Sequence, residues 1–171
     1  ENLIRYFADS DSVCCKLVVS NKADAYALVR ARNLGVETAV APKAQLNDAG
    51  FMMPLLEEHH IDFIVLAGFL PLVPNFLIDA YPRRIINIHP ALLPAYGGKG
   101  MYGMKVHEAV AAANEKESGI TIHYVNENLD EGEIIFQAKC ELLPTDSPEE
   151  IAAKVHKLEY EFFPKVIAEL L

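Results

Sequence analysis

Apolar residues come along this chain in short runs, separated by longer stretches with helical spacing. Residues 2–8 have the character of a helix tail. Val13-Cys14-Cys15-Lys16-Leu17-Val18-Val19-Ser20 is rich in β-branched residues and bounded by polar ones, which predicts a strand. Asp24 predicts an N-cap for a helix through Asn33, Gly35 its C-cap, and residues 36–40 a short strand. Residues 47–60 predict a helix. The continuous apolar run Phe63-Ile64-Val65-Leu66-Ala67 predicts a central parallel strand, buried on both faces.

A loop at 68–74, a short helix to Ala80 and a strand at 84–89 follow. Beyond an irregular stretch at 90–103 come a helix at 104–114 and strands at 119–125 and 133–142. Their short connection predicts an antiparallel pair. Ser147, with Glu150 three residues on, predicts a capping box for the last helix. Strands alternating with helices predict an α/β fold: a doubly wound, mostly parallel sheet, as a single domain over 1–171. The chain opens inside a helix. A doubly wound domain usually opens with a strand and a glycine-rich turn, so both are expected upstream of Glu1.

Candidate chemistry centres on Asn87-Ile88-His89-Pro90. Residues two apart on a strand share a face, so Asn87 and His89 point the same way. Pro90 cannot continue a central strand, which puts the pair at the strand's carboxyl end, where ligands bind in open α/β sheets. Asn128-Leu129-Asp130-Glu131-Gly132 supplies a carboxylate from a second loop. An amide donor, a proton handler and a group that orients it suit acyl transfer. Four segments, 20–22, 68–71, 87–90 and 126–132, are expected at strand carboxyl ends and so along one edge of the sheet.

A lone Asn-x-His on a strand is more often structural, and Asp130 alone is more often a turn residue. His123 is expected to be a satisfied core or supporting histidine. His107 is expected at a helix surface or an interface, and His59 and His60 are expected to be solvated near a helix end. Glycines cluster at 97–103, in a stretch long enough to be either a lid or a plain surface loop.

With 15 Lys+Arg against 24 Asp+Glu, the formal net charge of −9 argues against nucleic-acid or anionic-membrane partners. It leaves room for a small anionic substrate held by local amide donors. No apolar run approaches the roughly 20 residues that span a bilayer. Cys14, Cys15 and Cys140 lack metal-ligand spacing, and core thiols in a reducing cytoplasm are expected.

Asn87-Ile88-His89-Pro90-Ala91-Leu92-Leu93-Pro94 closely resembles the signature of the 10-formyltetrahydrofolate-dependent formyltransferases. Ser20-Asn21-Lys22-Ala23-Asp24-Ala25, Leu66-Ala67-Gly68-Phe69 and Leu129-Asp130-Glu131-Gly132 resemble the members that formylate glycinamide ribonucleotide in purine synthesis. The resemblance runs in consistent order from Glu1 to Leu171. It implies a formyltransferase fold with helices on both faces of the sheet. It also implies direct transfer of the formyl group from 10-formyltetrahydrofolate, the co-substrate, to the amine, without a metal.

On this resemblance Asn87 would donate to the oxyanion, and His89 would stabilise it or move protons. Asp130 would pair with His89, and the carboxylate could hold the imidazole charged at working pH. Leu66, Phe69, Leu70, Leu72 and Val73 would line the folate pocket. The backbone of Val125, Asn126, Glu127, Asn128 and Leu129, up to Asp130, would read the pteridine edge. Pro90, Glu159 and His156 would meet the nucleotide. The family's phosphate-cradling glycine loop falls before Glu1, and Pro71 stands where some members carry arginine. The partners implied are the two small-molecule substrates, to a cytoplasmic monomer or homodimer. A formyltetrahydrofolate deformylase, a formyltransferase for another amine and an inactive folate-binding module are the alternatives.

Overall fold

A computed structural model describes residues 1–171, which form two compact units, Glu1–Asp62 with Ile167–Leu171, and Phe63–Val166. The first unit holds α1 (Asn2–Tyr6), β1 (Leu17–Ser20), α2 (Tyr26–Asn33), β2 (Glu37–Val40), α3 (Lys43–Leu46) and α4 (Ala49–Glu58). Strands β1 and β2 pair in parallel from Leu17↔Glu37 to Ser20↔Val40. Helix α2 connects them and buries Leu28 and Ala31, three residues apart on one face.

Gly35 closes α2 as expected. Its φ of +75° lets Val36 N–H reach Ala31 O and Gly35 N–H reach Arg32 O, both at 3.0 Å. Asp24 does not cap this helix. A bond from Ala25 N–H to Lys22 O makes residues 22–25 a turn, and the helix starts one residue later. Strand β1 is four residues long because its partner is, so Cys14 and Cys15 fall outside it. Cys14 is exposed and Cys15 half-buried, which corrects the expectation of core thiols. Asn47 ends the short α3, and Asp48 caps α4 by accepting from Gly50 N–H at 2.8 Å.

The second unit carries β3 (Ile64–Ala67), α5 (Asn75–Ala80), β4 (Ile85–His89), α6 (Met104–Ala112), β5 (Glu117–Tyr124) and β6 (Ile134–Glu141), and α7 (Pro148–Leu170) starts in it. The sheet order is β3-β4-β5-β6. The α/β class is as expected, and the sheet is mixed. β3 and β4 are parallel, whereas β4–β5 and β5–β6 are antiparallel. Within this sheet β3 is an end strand, and Ile64, Val65 and Leu66 are only half-buried.

Val110, Ile120, Leu142, Ile151 and Val155 form a core cluster between α6, α7 and the sheet. Full burial stabilises each such side chain by about 1.5–3 kcal/mol. The capping box forms as expected: Ser147 N–H donates to Glu150 Oε2 and Glu150 N–H to Ser147 Oγ. No helix is long and apolar enough to cross a membrane.

Candidate active site

The alternation of β4 buries Ile86 and sends Asn87 and His89 to its other face. Antiparallel pairing then sets His123 directly opposite Asn87 and Thr121 opposite His89. Asn87 Nδ2 lies 3.1 Å from His123 Nε2, and His123 Nδ1 lies 2.8 Å from the carbonyl of Tyr124. A carbonyl only accepts, so Nδ1 carries a proton and Nε2 is free to accept from the Asn87 amide.

Because β5 runs antiparallel, its carboxyl end lies beside the amino end of β4. The loop at 126–132 therefore does not leave from the same edge as Asn87–Pro90, contrary to the expectation from a parallel sheet. The loop reaches the site by folding back. A bulge at Ile135 breaks the β5–β6 register, and Gly132 lies where an added Cβ would stand 1.6 Å from Tyr124 O. An ion pair from Arg83 to Glu133, with the Arg83 guanidinium 4.2 Å from the Tyr124 ring centre, pins the base of the loop.

Asp130 stands at its tip with φ +57°, a left-handed backbone that costs a residue other than glycine roughly 1 kcal/mol. Its Oδ2 is 3.5 Å from His89 Nδ1 and its Oδ1 3.6 Å from His123 Nε2. Oδ2 also accepts from Gly98 N–H at 2.9 Å. His89 Nε2 donates to the carbonyl of Tyr96 at 2.7 Å. The stretch at 90–103 thus contacts both groups directly and is neither a free lid nor a plain surface loop. Its first residues are tied to the sheet by Thr121, whose hydroxyl donates to Ala91 O and accepts from Leu93 N–H and Gln137 Nε2.

Burial pushes the His89 imidazole below its ordinary value. That outweighs the opposing pull of Asp130 and the Tyr96 carbonyl. This corrects the expectation of a charged imidazole: the resting form favoured at neutral pH is uncharged. For Asp130, burial opposes ionisation. The nearby His123 ring, the hydrogen bond from Gly98 N–H and the His89 ring prevail and hold its carboxyl below the usual range.

A family model described as formyl transferase matches residues 4–167, which includes every residue of this cluster. The chain belongs to the formyl transferase family. Among curated members of that family it is 42% identical over 159 residues to the chloroplastic phosphoribosylglycinamide formyltransferase of Arabidopsis thaliana, covering 90% of this chain and 54% of that one. It is 38% identical over 159 residues to the phosphoribosylglycinamide formyltransferase of Bacillus subtilis, covering 91% and 79%. The chain spans about half the length of the plant relatives it matches. Among solved formyl transferase structures, phosphoribosylglycinamide formyltransferase from Anaplasma phagocytophilum superposes with a TM-score of 0.87 at 34% identity, covering 97% of this chain and 77% of that one.

The other residues that the formyl transferase resemblance singled out differ widely in exposure. Leu66 and Phe69 are half-buried, Leu70 and Leu72 exposed, and Val73 buried in the core. Two backbone donors expected to face the pteridine are engaged within the protein: Val125 N–H bonds Ile85 O and Asn128 N–H bonds the Asn126 side chain. Pro90 directly follows the cluster and is half-buried.

Glu159 is half-buried and His156 exposed, with Nε2 and Oε2 3.9 Å apart. Burial pushes the Glu159 carboxyl up, against the pull of His156. The His156 ring meets His107 edge-on at 6.2 Å between centres. His107 is only 2% exposed, not at the surface as expected, and its Nδ1 is buried without a partner. Its spacing from Val106 and Val110 on the inner face of α6 was the available signal. Thr121 was likewise legible as the residue sharing a face with His123. The Tyr96 carbonyl and Gly98 N–H have no side-chain signature.

Proposed function

We propose that this chain transfers the formyl group of 10-formyltetrahydrofolate to the primary amine of glycinamide ribonucleotide. The observation that carries the reading is one linked cluster: Asp130 faces both His89 and His123, and His123 in turn pairs with Asn87. The family match and the relatives' names support the choice of reaction.

The amine nitrogen attacks the formyl carbon, and the carbonyl oxygen becomes an oxyanion. Asn87 has a second amide N–H beyond the one turned to His123, and that donor stabilises the oxyanion. The attacking amine must shed a proton, and the Asp130–His89 pair accepts it. Collapse breaks the bond from the formyl carbon to the folate nitrogen, which takes a proton as it leaves. Leu66, Phe69, Leu70, Leu72 and Val73 are assigned to the folate, and Pro90, His156 and Glu159 to the nucleotide. Three free cysteines support a reducing compartment, and the family match over 4–167 supports one catalytic domain.

The test follows formyl loss from 10-formyltetrahydrofolate by absorbance, with and without glycinamide ribonucleotide. Loss only with the nucleotide is expected. Loss without it would establish a hydrolase instead, and no loss would overturn the transferase reading.

A further inference from the structure

The segment Tyr96-Gly97-Gly98 makes two contacts that no side chain makes: the carbonyl of Tyr96 accepts from His89 Nε2, and the N–H of Gly98 donates to Asp130 Oδ2. Both depend on an unusual backbone course, with φ +57° at Tyr96 and +83° at Gly98. Gly97 lies so close to the site that an added Cβ would stand 2.5 Å from Leu93 Cδ2 and 3.3 Å from Asp130 Cβ. This strap is anchored away from the cluster. The Tyr96 hydroxyl donates to Glu115 Oε1 at 2.7 Å, in the turn between α6 and β5, and its ring packs on the Val110–Ile120 core cluster.

We infer that Tyr96 is a positioning residue for the transfer, whose carbonyl dictates which nitrogen of His89 carries the resident proton and whose hydroxyl, held by Glu115, keeps that carbonyl in place. The inference rests on the reading of His89 as the group that handles the proton. A carbonyl cannot donate, so Nε2 must carry the hydrogen of the neutral ring. Nδ1 is then the lone pair, and it faces Asp130 Oδ2 at 3.5 Å. The incoming proton therefore arrives on Nδ1, where it converts a lone-pair contact into a charge-assisted hydrogen bond. Without the Tyr96 carbonyl the ring would prefer the other tautomer, with Nδ1–H toward Asp130 and no vacancy on that side. The strap keeps the acceptor nitrogen empty until the amine proton reaches it. The titratable groups facing His89 are Asp130 on its loop, His123 on β5 and His107 on α6.

The experiment compares the full chain with Tyr96→Phe, which removes the hydroxyl and keeps the ring, and Glu115→Gln, which keeps an acceptor for it. Nitrogen-15 NMR of the imidazoles reports the His89 tautomer without any substrate. In the parent chain His89 is expected as the Nε2–H form. Tyr96→Phe is expected to mix the tautomers, to lower kcat about tenfold with both KM values nearly unchanged, and to displace the acid limb of the pH profile. Glu115→Gln is expected to behave as the parent. Should Tyr96→Phe fail to fold, Glu115→Ala cuts the same bond from the exposed side.

An unchanged tautomer and pH profile in the variant, whether or not Tm or kcat falls, would overturn the inference. A tautomer shift in a chain that transfers no formyl group would uphold the strap and remove the proposed reaction.

Discussion

Two histidines in this protein carry the same equipment and respond in opposite directions. His59 bonds the carbonyl of Leu55 through Nδ1 at 2.8 Å and Glu37 through Nε2 at 3.0 Å. His89 bonds the carbonyl of Tyr96 through Nε2 at 2.7 Å and faces Asp130 through Nδ1 at 3.5 Å. The Leu55 carbonyl and Glu37 raise the affinity of His59 for a proton, whereas burial lowers that of His89. The carboxylate partners differ in exposure: the Glu37 side chain is 76% exposed and the Asp130 side chain 13%. Water solvates the first pair when it is charged. In the second, lost hydration costs more than the 3.5 Å contact returns. Proximity of a carboxylate therefore does not by itself charge an imidazole. A buried pair can remain poised to receive a proton, whereas an exposed one binds it more readily.

The sharpest way to break this contrast is Asp130→Asn. It removes the carboxylate from His89, His123 and Gly98 together, and kcat for formyl transfer is expected to fall by roughly 10³-fold or more. An effect below tenfold would mean that the pair handles no proton. His89→Ala comes next, with an expected loss of roughly several hundred-fold. Folate affinity, measured by equilibrium binding, should stay nearly intact, and parent-like turnover would remove His89 from the mechanism. Asn87→Ala is expected to cost about a hundredfold in kcat, as for loss of one oxyanion donor.

The pH profile sharpens the comparison further. A depressed proton affinity keeps His89 neutral down to an acidity beyond the ordinary imidazole value of about 6.5, so the acid limb of kcat/KM should have its midpoint below that value. A midpoint above 6.5 would contradict the burial account. The smallest effect belongs to His59→Gln, which should leave kcat unchanged. With its proton affinity raised on folding, His59 stabilises the fold below about pH 6.5, and that contribution fades as pH rises through the raised value. Denaturant midpoints of parent and variant should differ slightly at pH 6 and converge in alkaline solution.

Local patterns were legible where local chemistry decides them. The β4 alternation that aims Asn87 and His89, the glycine that closes α2 and the capping box of α7 are all in the residue order. Asp130 is legible as a neighbour of His89, but its route is not: strand direction comes from long-range pairing, and an antiparallel β5 makes the loop fold back. The charge of His89 is not legible, because the sequence announces the carboxylate but not the depth of burial. The contacts from Tyr96 and Gly98 are made by backbone atoms, which every residue has, so no residue type marks them.

The pairing of Asn87 with His123 also bears on how the protein comes into being. These residues are 36 apart in the chain, and they meet only when β4 and β5 align in one register. A slip by a single residue would turn His123 and Thr121 to the opposite side of the sheet, away from Asn87 and His89. Helices can form early from nearby contacts, but a chain with every helix in place and the strands unaligned would have no working centre. Recovery of turnover during refolding should therefore lag behind recovery of helical signal, making enzymatic competence a clock for the late, non-local steps of assembly.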